Sequence, residues 1–314
     1  MTGRAINGGI PVSEYVIGLD GGGTKTKVLV ADRKKKILES FLGGAINYNG
    51  SEKELIDKNM QTIFQTVLKK GYASKDCVGI CIGTAGISNP LVRQYIMSNL
   101  ELFGYSCPVS IVGDHETALA GALLQVEGMI LIAGTGSICY GKDEKGNSYR
   151  TGGYGHLIDD AGSGYAIGRD ILSAVIRAHD KRCEATVLTK LVFEYLNILT
   201  IEELIRYVYD PGHSKKDIAR LSILIEKAYR LEDRAAIAIV EHCVSELMEL
   251  TKPILKVMKE DCSIAVSGSI LLKNQDIFDK LCAGMKKDYP LVTITKPMKD
   301  AAFGAVILAT SSIC

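Results

Sequence analysis

The chain has 314 residues, 47% of them hydrophobic, with 37 basic and 36 acidic side chains and a formal net charge of +1. That length and composition allow two cores of ordinary domain size and exclude collagenous, repetitive and disordered chains. The balanced charge predicts no nucleic-acid partner. No apolar run reaches roughly 18 residues, which predicts no membrane span. The N-terminal tail has no apolar core, which predicts no signal peptide.

The first half of the chain is predicted to follow a βββαβαβα order. Short β-branched runs between charged turns indicate the strands, while Ser51 with Glu54 at the capping-box position, and then Pro90, indicate two helix starts. The predicted elements are strands 15–20, 25–32 and 36–43, helix 51–70, strand 77–83, helix 90–103, strand 108–113 and helix 117–124.

A glycine-rich turn joins the first two predicted strands. It is not a P-loop, because Thr24 follows Gly23 where a lysine is required, and it is not a Rossmann fingerprint, because Thr26 replaces the third glycine and the chain continues as a strand. A tight hairpin whose exposed amides form an anion nest remains. We therefore predict an ATP phosphate site at Gly22, Gly23 and Thr24, with Mg²⁺ held, through water, by Asp20 at the strand end.

Asp114 follows an apolar strand and precedes a helix. Taken alone, an aspartate in this position is best interpreted as a helix N-cap. The carboxyl end of a strand is also where α/β folds place ligands, and phosphoryl transfer to an alcohol needs a carboxylate that accepts the hydroxyl proton. With phosphate loops in the same chain, we favour Asp114 as the catalytic base.

The second half begins with the construction seen in the first. Strand 129–133, a Gly-Thr-Gly-Ser turn, strand 137–142, a charged turn and strand 148–151 repeat the pattern, so Gly134, Thr135 and Gly136 are predicted to bind ATP. The predicted elements that follow are helices 163–179, 184–197, 200–209, 215–230 and 233–259, the last kinked at Pro253, then strand 263–267, helix 275–288, strand 291–296 and helix 299–311.

This repetition predicts an α/β fold with mixed sheets and duplicated domains that face each other across a nucleotide cleft. We place the first domain at 1–117, completed by a C-terminal helix over 298–314. The second domain covers 118–297 and carries a helical insertion.

A third glycine turn, Val266-Ser267-Gly268-Ser269, joins a strand to a helix. Small residues there let a base and ribose approach the backbone, so Gly268 and Ser269 are predicted to bind the adenosine part of ATP. An ordinary strand-to-helix turn that binds no ligand explains the same residues equally well.

The nine cysteines contain no C-x-x-C pair, and the five histidines show no ligand spacing. Several cysteines lie in or next to apolar strands. This pattern predicts reduced, buried thiols in a cytoplasmic protein and no structural metal site.

Five motifs in order resemble one known family. They are Asp20-Gly-Gly-Gly-Thr24, Asp114, Ala133-Gly-Thr-Gly-Ser137, Gly152-Gly-Tyr-Gly-His156 with Asp160 and Gly162-Ser163, and Ser267-Gly-Ser269. From about residue 15 to the C-terminus the chain resembles the N-acetylglucosamine kinase branch of the actin, Hsp70 and sugar-kinase superfamily, the BadF/BadG/BcrA/BcrD ATPase type. The resemblance implies duplicated actin-like, ribonuclease H-like domains around an ATP cleft, with a helix-rich second half.

The resemblance also implies an activity, in which the chain uses ATP and Mg²⁺ to phosphorylate the 6-hydroxyl of an amino sugar as a homodimer. Thr24 and Thr135 would contact the phosphates, Gly268 the adenosine side, and Asp114 would be the base. The implied sugar-binding residues are Asn47, Asp114, Ser137, Gly153, Tyr154, Gly155 and Asp160. Plainer interpretations remain for Asn47 as a turn residue, Tyr154 as core and Asp160 as a helix cap.

Two departures from the family pattern bear on the substrate. The family commonly has tryptophan at Tyr154, and Gly-Asp-Glu-Gly-Ser where this chain has Asp159-Asp160-Ala161-Gly162-Ser163. N-acetylglucosamine, glucosamine and N-acetylmuramate therefore all remain as substrates. Two other functions remain as alternatives: an ATPase that activates a 2-hydroxyacyl-CoA dehydratase, and a non-catalytic sugar sensor.

Overall fold

Glycine turns interrupt two apolar runs in this chain, and each interrupted run folds as two neighbouring strands, one of them the central strand of a five-stranded sheet. The computed structural model describes residues 6–7, 10–11, 14–47, 53–87, 89–258 and 262–313. Packing divides the chain into two units, Met1–Gly128 with Pro297–Cys314, and Met129–Lys296.

The elements of the first unit are, in chain order, β1 (Ile6–Asn7), β2 (Ile10–Pro11), β3 (Tyr15–Gly21), β4 (Lys25–Ala31), β5 (Ile37–Gly44), α1 (Lys53–Lys69), β6 (Cys77–Thr84), α2 (Pro90–Leu102), β7 (Val109–Val112) and α3 (Asp114–Leu123). The elements of the second unit are β8 (Gly128–Ala133), β9 (Ser137–Lys142), β10 (Ser148–Gly152), α4 (Gly164–His179), α5 (Val187–Leu196), α6 (Ile201–Tyr209), α7 (Lys215–Arg220), α8 (Leu224–Arg230), α9 (Arg234–Leu255), β11 (Ser263–Ser267), α10 (Ser269–Lys273), α11 (Gln275–Asp288) and β12 (Thr293–Thr295). Helix α12 (Ala301–Ser311) ends the chain and belongs to the first unit.

The sheet of the first unit has the strand order β5-β4-β3-β6-β7. Strands β3, β4 and β5 pair antiparallel, and β3, β6 and β7 pair parallel. Alternation along β3 sends Ile17 and Leu19 to the face covered by α1 and α2, and Val16 to the face covered by α12. Both faces are therefore buried, and the carboxyl ends of β3, β6 and β7 meet at one edge.

Helix α12 packs unusually close to α3. A Cβ atom at Gly304 would overlap the Thr117 carbonyl oxygen and the Gly121 nitrogen, and one at Gly121 would overlap the Asp300 carbonyl oxygen. Backbone-to-backbone packing of this kind needs glycine on both helices. It fixes the start of α12, and with it the backbone of Asp300, beside the last turn of α3.

The second unit repeats the arrangement, with the order β10-β9-β8-β11-β12. Strands β9 and β10 are antiparallel, while β8, β11 and β12 are parallel. Among the described residues between β10 and β11, six helices, α4 to α9, form most of the core of this unit. The predicted α/β fold with two mixed sheets and a helix-rich second half is confirmed.

Several predicted boundaries were wrong. Helix α3 begins at Asp114, not near Thr117. The single helix predicted over 215–230 is two helices joined by a 3₁₀ turn, Leu221–Ile223, and α9 ends at Leu255, soon after Pro253. Strands β1 and β2 and helix α10 were not predicted, and the Ser51 cap lies outside the described residues.

Candidate active site

The predicted phosphate turn of the first unit is a tight β3–β4 hairpin. The Gly22 nitrogen donates to the Lys25 carbonyl oxygen at 3.1 Å and closes the turn. Gly23 and Thr24 are exposed at its tip. The turn therefore presents two backbone amides and one hydroxyl to solvent, which is the donor set expected for an anion.

Asp20 occupies the end of β3 in a region rich in carboxylates. Burial, followed by the negative charges of Asp114 and Asp300, raises the pKa of Asp20 to about 6, against the opposing charge of Lys27. Lys27 lies opposite Asp20 in the β3–β4 register, and its Nζ is 2.5 Å from Asp300 Oδ2. Ionised Asp20 is thus short of compensating positive charge.

The pair formed by Lys27 and Asp300 was missed by sequence reasoning. Asp300 caps α12, because its Oδ1 accepts a hydrogen bond from the Phe303 nitrogen at 3.0 Å. An aspartate before a helical apolar run is a recognisable N-cap signal. No sequence pattern indicates that Asp300 pairs with Lys27, which lies 273 residues earlier.

Asp114 is the first residue of α3 and is not its cap. The N-cap is Gly113, whose nitrogen donates to Glu116 Oε1 at 3.1 Å. The Asp114 side chain is 56% exposed, and its Oδ1 accepts a hydrogen bond from the His115 nitrogen at 2.9 Å. The N-cap interpretation weighed for Asp114 is therefore wrong in its detail, and the carboxylate remains accessible at the carboxyl end of β7.

The pKa of Asp114 lies below its ordinary value. Partial burial acts to raise this pKa, but the hydrogen bonds and the charge of His115 lower it by more. The His115 Nδ1 lies 3.5 Å from Asp114 Oδ1. Asp114 is consequently ionised at neutral pH, as a proton acceptor must be.

Asn47 follows a buried residue that packs beneath the phosphate hairpin. The Ile46 side chain fills the space where a Cβ of Gly21 would lie, and the Ile46 carbonyl oxygen is 3.5 Å from Thr84 Oγ1. The segment that carries Asn47 is thereby attached to the ends of β3 and β6. The first unit thus brings the predicted Asp20, Asp114 and hairpin residues, and the Asn47 segment, to one edge of its sheet.

In the second unit, the Gly134–Ser137 turn is tied to the loop that contains Asp160. Asp160 is 4% exposed, and its Oδ1 lies 3.3 Å from the Ser137 nitrogen. The Ser137 hydroxyl donates to the Ala161 carbonyl oxygen at 2.6 Å. The N-cap of α4 is Ser163, so Asp160 is not the helix cap. The buried Asp160 carboxylate and Ser137 hydroxyl therefore connect the predicted phosphate turn to the predicted sugar loop.

The sugar loop, residues 152–160, is bent at three glycines and fixed by the Arg150 side chain. Positive φ angles at Gly152, Gly153 and Gly155 form its bends. The Arg150 guanidinium donates to the Gly152 and Gly153 carbonyl oxygens at 3.0 and 2.5 Å, and its carbon lies 4.7 Å from the Tyr154 ring centroid. Tyr154 is 64% exposed and so is not a core residue.

Asp159, one of the departures from the family pattern, has a local structural role. Its Oδ2 accepts a hydrogen bond from the Tyr154 nitrogen at 3.2 Å. The Asp159 nitrogen donates to the Gly155 carbonyl oxygen at 2.8 Å, which closes the same loop. The extra carboxylate thus fixes the backbone at the exposed aromatic residue.

A pocket of about 420 Å³ opens beside the Gly134–Thr135 turn. Gly268 lies next to this turn with φ of +87°, and a Cβ there would overlap the Ala133 carbonyl and lie 2.7 Å from the Gly134 nitrogen. The structure therefore brings together the second and third predicted ATP turns. The pocket is lined by Gly134, Thr135, Gly164, Tyr195, Lys216, Ala219, Arg220, Ser222, Ile223, Glu226, Ser269, Ile270, Lys273 and Asn274.

Sequence reasoning missed the helical side of this pocket. Lys216, Arg220 and Lys273 add basic groups, and Tyr195 adds an aromatic ring. These residues come from α5, α7 and α10, so no local pattern unites them. A concave site of this size with a few polar groups suits a nucleoside with adjoining phosphate.

Comparison with known proteins identifies the family. Residues 17–309 match the model of the BadF/BadG/BcrA/BcrD ATPase family, and the chain belongs to that family. The resemblance predicted from the five motifs is confirmed.

The relatives in this comparison extend over nearly the whole chain. The chain is 36% identical to an N-acetylmuramic acid/N-acetylglucosamine kinase of Clostridium acetobutylicum, over 95% of this chain and 99% of the relative. It is 31% identical to an N-acetyl-D-glucosamine kinase of Dictyostelium discoideum, over 95% of this chain and 98% of the relative.

Among solved structures, the chain is similar to a candidate N-acetylglucosamine kinase from Chromobacterium violaceum. The TM-score is 0.77 at 23% identity, over 95% of this chain and 100% of the other. At that identity the likeness establishes the fold, which is the fold class predicted from the sequence.

Within the described residues, no helix has the length and apolarity that a membrane span requires. The same part of the chain contains no group of three or more histidine, cysteine, aspartate or glutamate side chains arranged to hold a metal ion.

Proposed function

We propose that this chain is an ATP-dependent amino-sugar kinase that phosphorylates the 6-hydroxyl of N-acetylglucosamine, glucosamine or N-acetylmuramate. The observation that carries the proposal is the exposure and ionisation of the Asp114 carboxylate. This carboxylate is exposed and ionised at a strand end, on the same sheet edge as the glycine hairpin, and Gly113 and Glu116 make the helix cap without it. The names of the relatives, two amino-sugar kinases, support the substrate class.

Each residue then has a defined task. Asp114 accepts the proton of the attacking hydroxyl, so that oxygen can bond to the γ-phosphorus as the bond to ADP breaks. Gly22, Gly23 and Thr24, and Gly134, Thr135 and Gly136, donate to phosphate oxygens, while Gly268 and Ser269 border the nucleoside. Asn47, Tyr154 and the 152–160 loop contact the sugar.

The residues around Asp20 suit Mg²⁺. The pKa of Asp20 is raised by burial and by two neighbouring carboxylates, so a cation nearby would relieve the repulsion. A single carboxylate with water and substrate phosphates is a common Mg²⁺ environment. When bound, Mg²⁺ would offset the charge of the phosphate oxygens.

The alternatives receive less support. A dehydratase activator needs cysteine ligands for an iron–sulfur cluster, yet Cys139 is fully buried in β9. A non-catalytic sugar sensor needs no accessible carboxylate at Asp114. A homodimer and a cytoplasmic location remain our predictions.

The decisive experiment measures ADP release with Mg²⁺ and ATP across the three amino sugars and glucose, in the wild-type chain and in Asp114→Asn. We expect stimulation by at least one amino sugar and none by its 6-deoxy analogue, because that analogue lacks the attacking oxygen. If no sugar stimulates ADP release, the kinase proposal is wrong. If the 6-deoxy analogue is phosphorylated, the assignment of the 6-hydroxyl is wrong.

A further inference from the structure

Two cysteines lie in contact on the first unit, away from the proposed active site. The Sγ atoms of Cys77 and Cys107 are 3.7 Å apart, although the residues are separated by 30 positions in the chain. Cys77 begins β6, and Cys107 lies just before β7. Both are therefore at the amino ends of these parallel strands, whereas Asp114 follows the carboxyl end of β7.

We infer that Cys77 and Cys107 are the site of a reversible intrachain disulfide that forms when the protein meets a peroxide. The Ile80 nitrogen donates to the Pro108 carbonyl oxygen at 3.0 Å and anchors the two segments side by side. Neighbouring strands are about 4.8 Å apart, close to the Cα separations of roughly 4.4–6.8 Å that disulfides require. Bond formation would bring the two sulfur atoms from 3.7 Å to about 2.0 Å.

The two thiols differ in accessibility, which gives them different roles. Cys77 is 6% exposed, whereas Cys107 is half-buried between the exposed Ser106 and Pro108. The contact with Cys77 lowers the pKa of Cys107, and the same contact raises the pKa of Cys77. Cys107 is therefore the thiol that a small oxidant reaches as thiolate, and Cys77 is the thiol that resolves the product.

The chemistry balances with peroxide as the oxidant. The Cys107 thiolate attacks one peroxide oxygen, the O–O bond breaks, and Cys107 sulfenic acid and hydroxide form. The Cys77 sulfur then attacks the Cys107 sulfur, and the sulfenic hydroxyl leaves as water with the Cys77 proton. Two thiols have lost two electrons, and one peroxide has become two waters.

A buried tyrosine beside the pair supports this assignment. The Tyr105 hydroxyl is buried close to both thiols. Burial raises the pKa of Tyr105, a hydrogen bond with Tyr15 opposes this shift, and the charges of Cys77 and Cys107 raise the pKa further. A buried O–H donor next to a thiol pair is suited to stabilise negative charge on sulfur.

The test treats the full chain with one equivalent of hydrogen peroxide and maps the products by mass spectrometry after alkylation. We expect a mass loss of about 2 Da, a cross-linked peptide pair containing Cys77 and Cys107, and recovery of both thiols with dithiothreitol. The closed loop should raise the midpoint of thermal unfolding by roughly 5–10 °C. Cys107→Ser should abolish the cross-link, and Tyr105→Phe should slow its formation.

The control is Cys183→Ser, which removes an exposed cysteine and should leave the cross-link intact. Mass-spectrometric mapping of the oxidised wild-type chain tests the disulfide without any variant, so the result does not depend on whether a cysteine variant folds. If both thiols stay open to alkylation after oxidation, or if other cysteines pair first, the inference is wrong. Sugar phosphorylation plays no part in this readout.

Discussion

The Asp160 carboxylate lies against the backbone of the turn that contains Ser137, with Oδ1 3.3 Å from the Ser137 nitrogen. A Cβ at Gly136 would be 2.8 Å from both carboxylate oxygens. Asp160 therefore packs on the predicted phosphate turn while standing in the predicted sugar loop. One buried residue connects the two substrate sites of the proposed kinase.

We expect Asp160→Ala to weaken the use of both ATP and sugar, because it frees the turn as well as the loop. The lost hydrogen bond to a buried carboxylate should lower the free energy of unfolding by roughly 1–3 kcal/mol. Asp160→Asn is the matched control, since it keeps an acceptor oxygen and tolerates the positive φ of 61° at this position. Separate KM values for ATP and sugar provide the measurement. A rise in the sugar KM alone would show that Asp160 serves only the sugar.

Asp114→Asn should lower the turnover number about a hundredfold or more while sugar affinity stays within about tenfold, because asparagine can still bond the hydroxyl but cannot take its proton. Stability should change little, since Gly113 and Glu116 form the cap. Glu116→Ala is the control, because it removes the cap and keeps the base. It should lower the free energy of unfolding by about 1 kcal/mol and reduce turnover much less than Asp114→Asn does. Near wild-type turnover in Asp114→Asn would remove Asp114 from the mechanism.

The raised pKa of Asp20 predicts a pH-dependent cost in stability. The folded-state pKa is about 6 against an ordinary 3.8, so the folded chain holds this proton more tightly than the unfolded chain. Stability is thus lost as pH rises from about 4 to above 6. Asp20→Asn should raise the free energy of unfolding by roughly 1–3 kcal/mol at pH 8, and the gain should disappear near pH 4. Urea denaturation at both pH values measures it, and equal stability at pH 8 would contradict it.

Features encoded by neighbouring residues were predictable. The β3–β4 hairpin could be predicted because its glycines stand between two β-branched runs, and the repeat around Gly134 indicated a duplicated fold. The start of α3 was predicted one to three residues late, at His115 to Thr117, since a glycine N-cap such as Gly113 has no side chain to mark it. Helix α10 is only five residues long and too short to show a period.

Features that depend on distant contacts could not be predicted. Lys27 and Asp300 meet only because α12 returns to the first sheet. The basic side of the 420 Å³ pocket combines residues from several helices, including Lys216 and Lys273, that no spacing links. Burial of Asp160 and its contact with the Ser137 nitrogen were also not predictable from its residue type, and its role as a sugar ligand stays a prediction.

Gly268 offers a direct test of the turn beside the nucleotide pocket. Its backbone, with φ of 87° and ψ of 156°, is one that essentially only glycine adopts, and an added Cβ would meet the Ala133 carbonyl. Gly268→Ala should therefore lower the free energy of unfolding by about 3 kcal/mol and raise the ATP KM at least tenfold by displacing Gly134. Urea denaturation and ATP titration measure the two effects.

The control is Gly146→Ala, in the charged turn between β9 and β10. Gly146 also has a positive φ, 85°, but an added Cβ there would meet no atom within 4 Å. It should cost only about 1 kcal/mol of conformational strain and leave the ATP KM unchanged. Where Gly268→Ala does not fold, Ser269→Ala tests the same pocket with a smaller perturbation, because Ser269 lines it. Unchanged ATP binding in both Gly268→Ala and Ser269→Ala would place the nucleoside elsewhere, because this turn contacts Gly134 and borders the pocket.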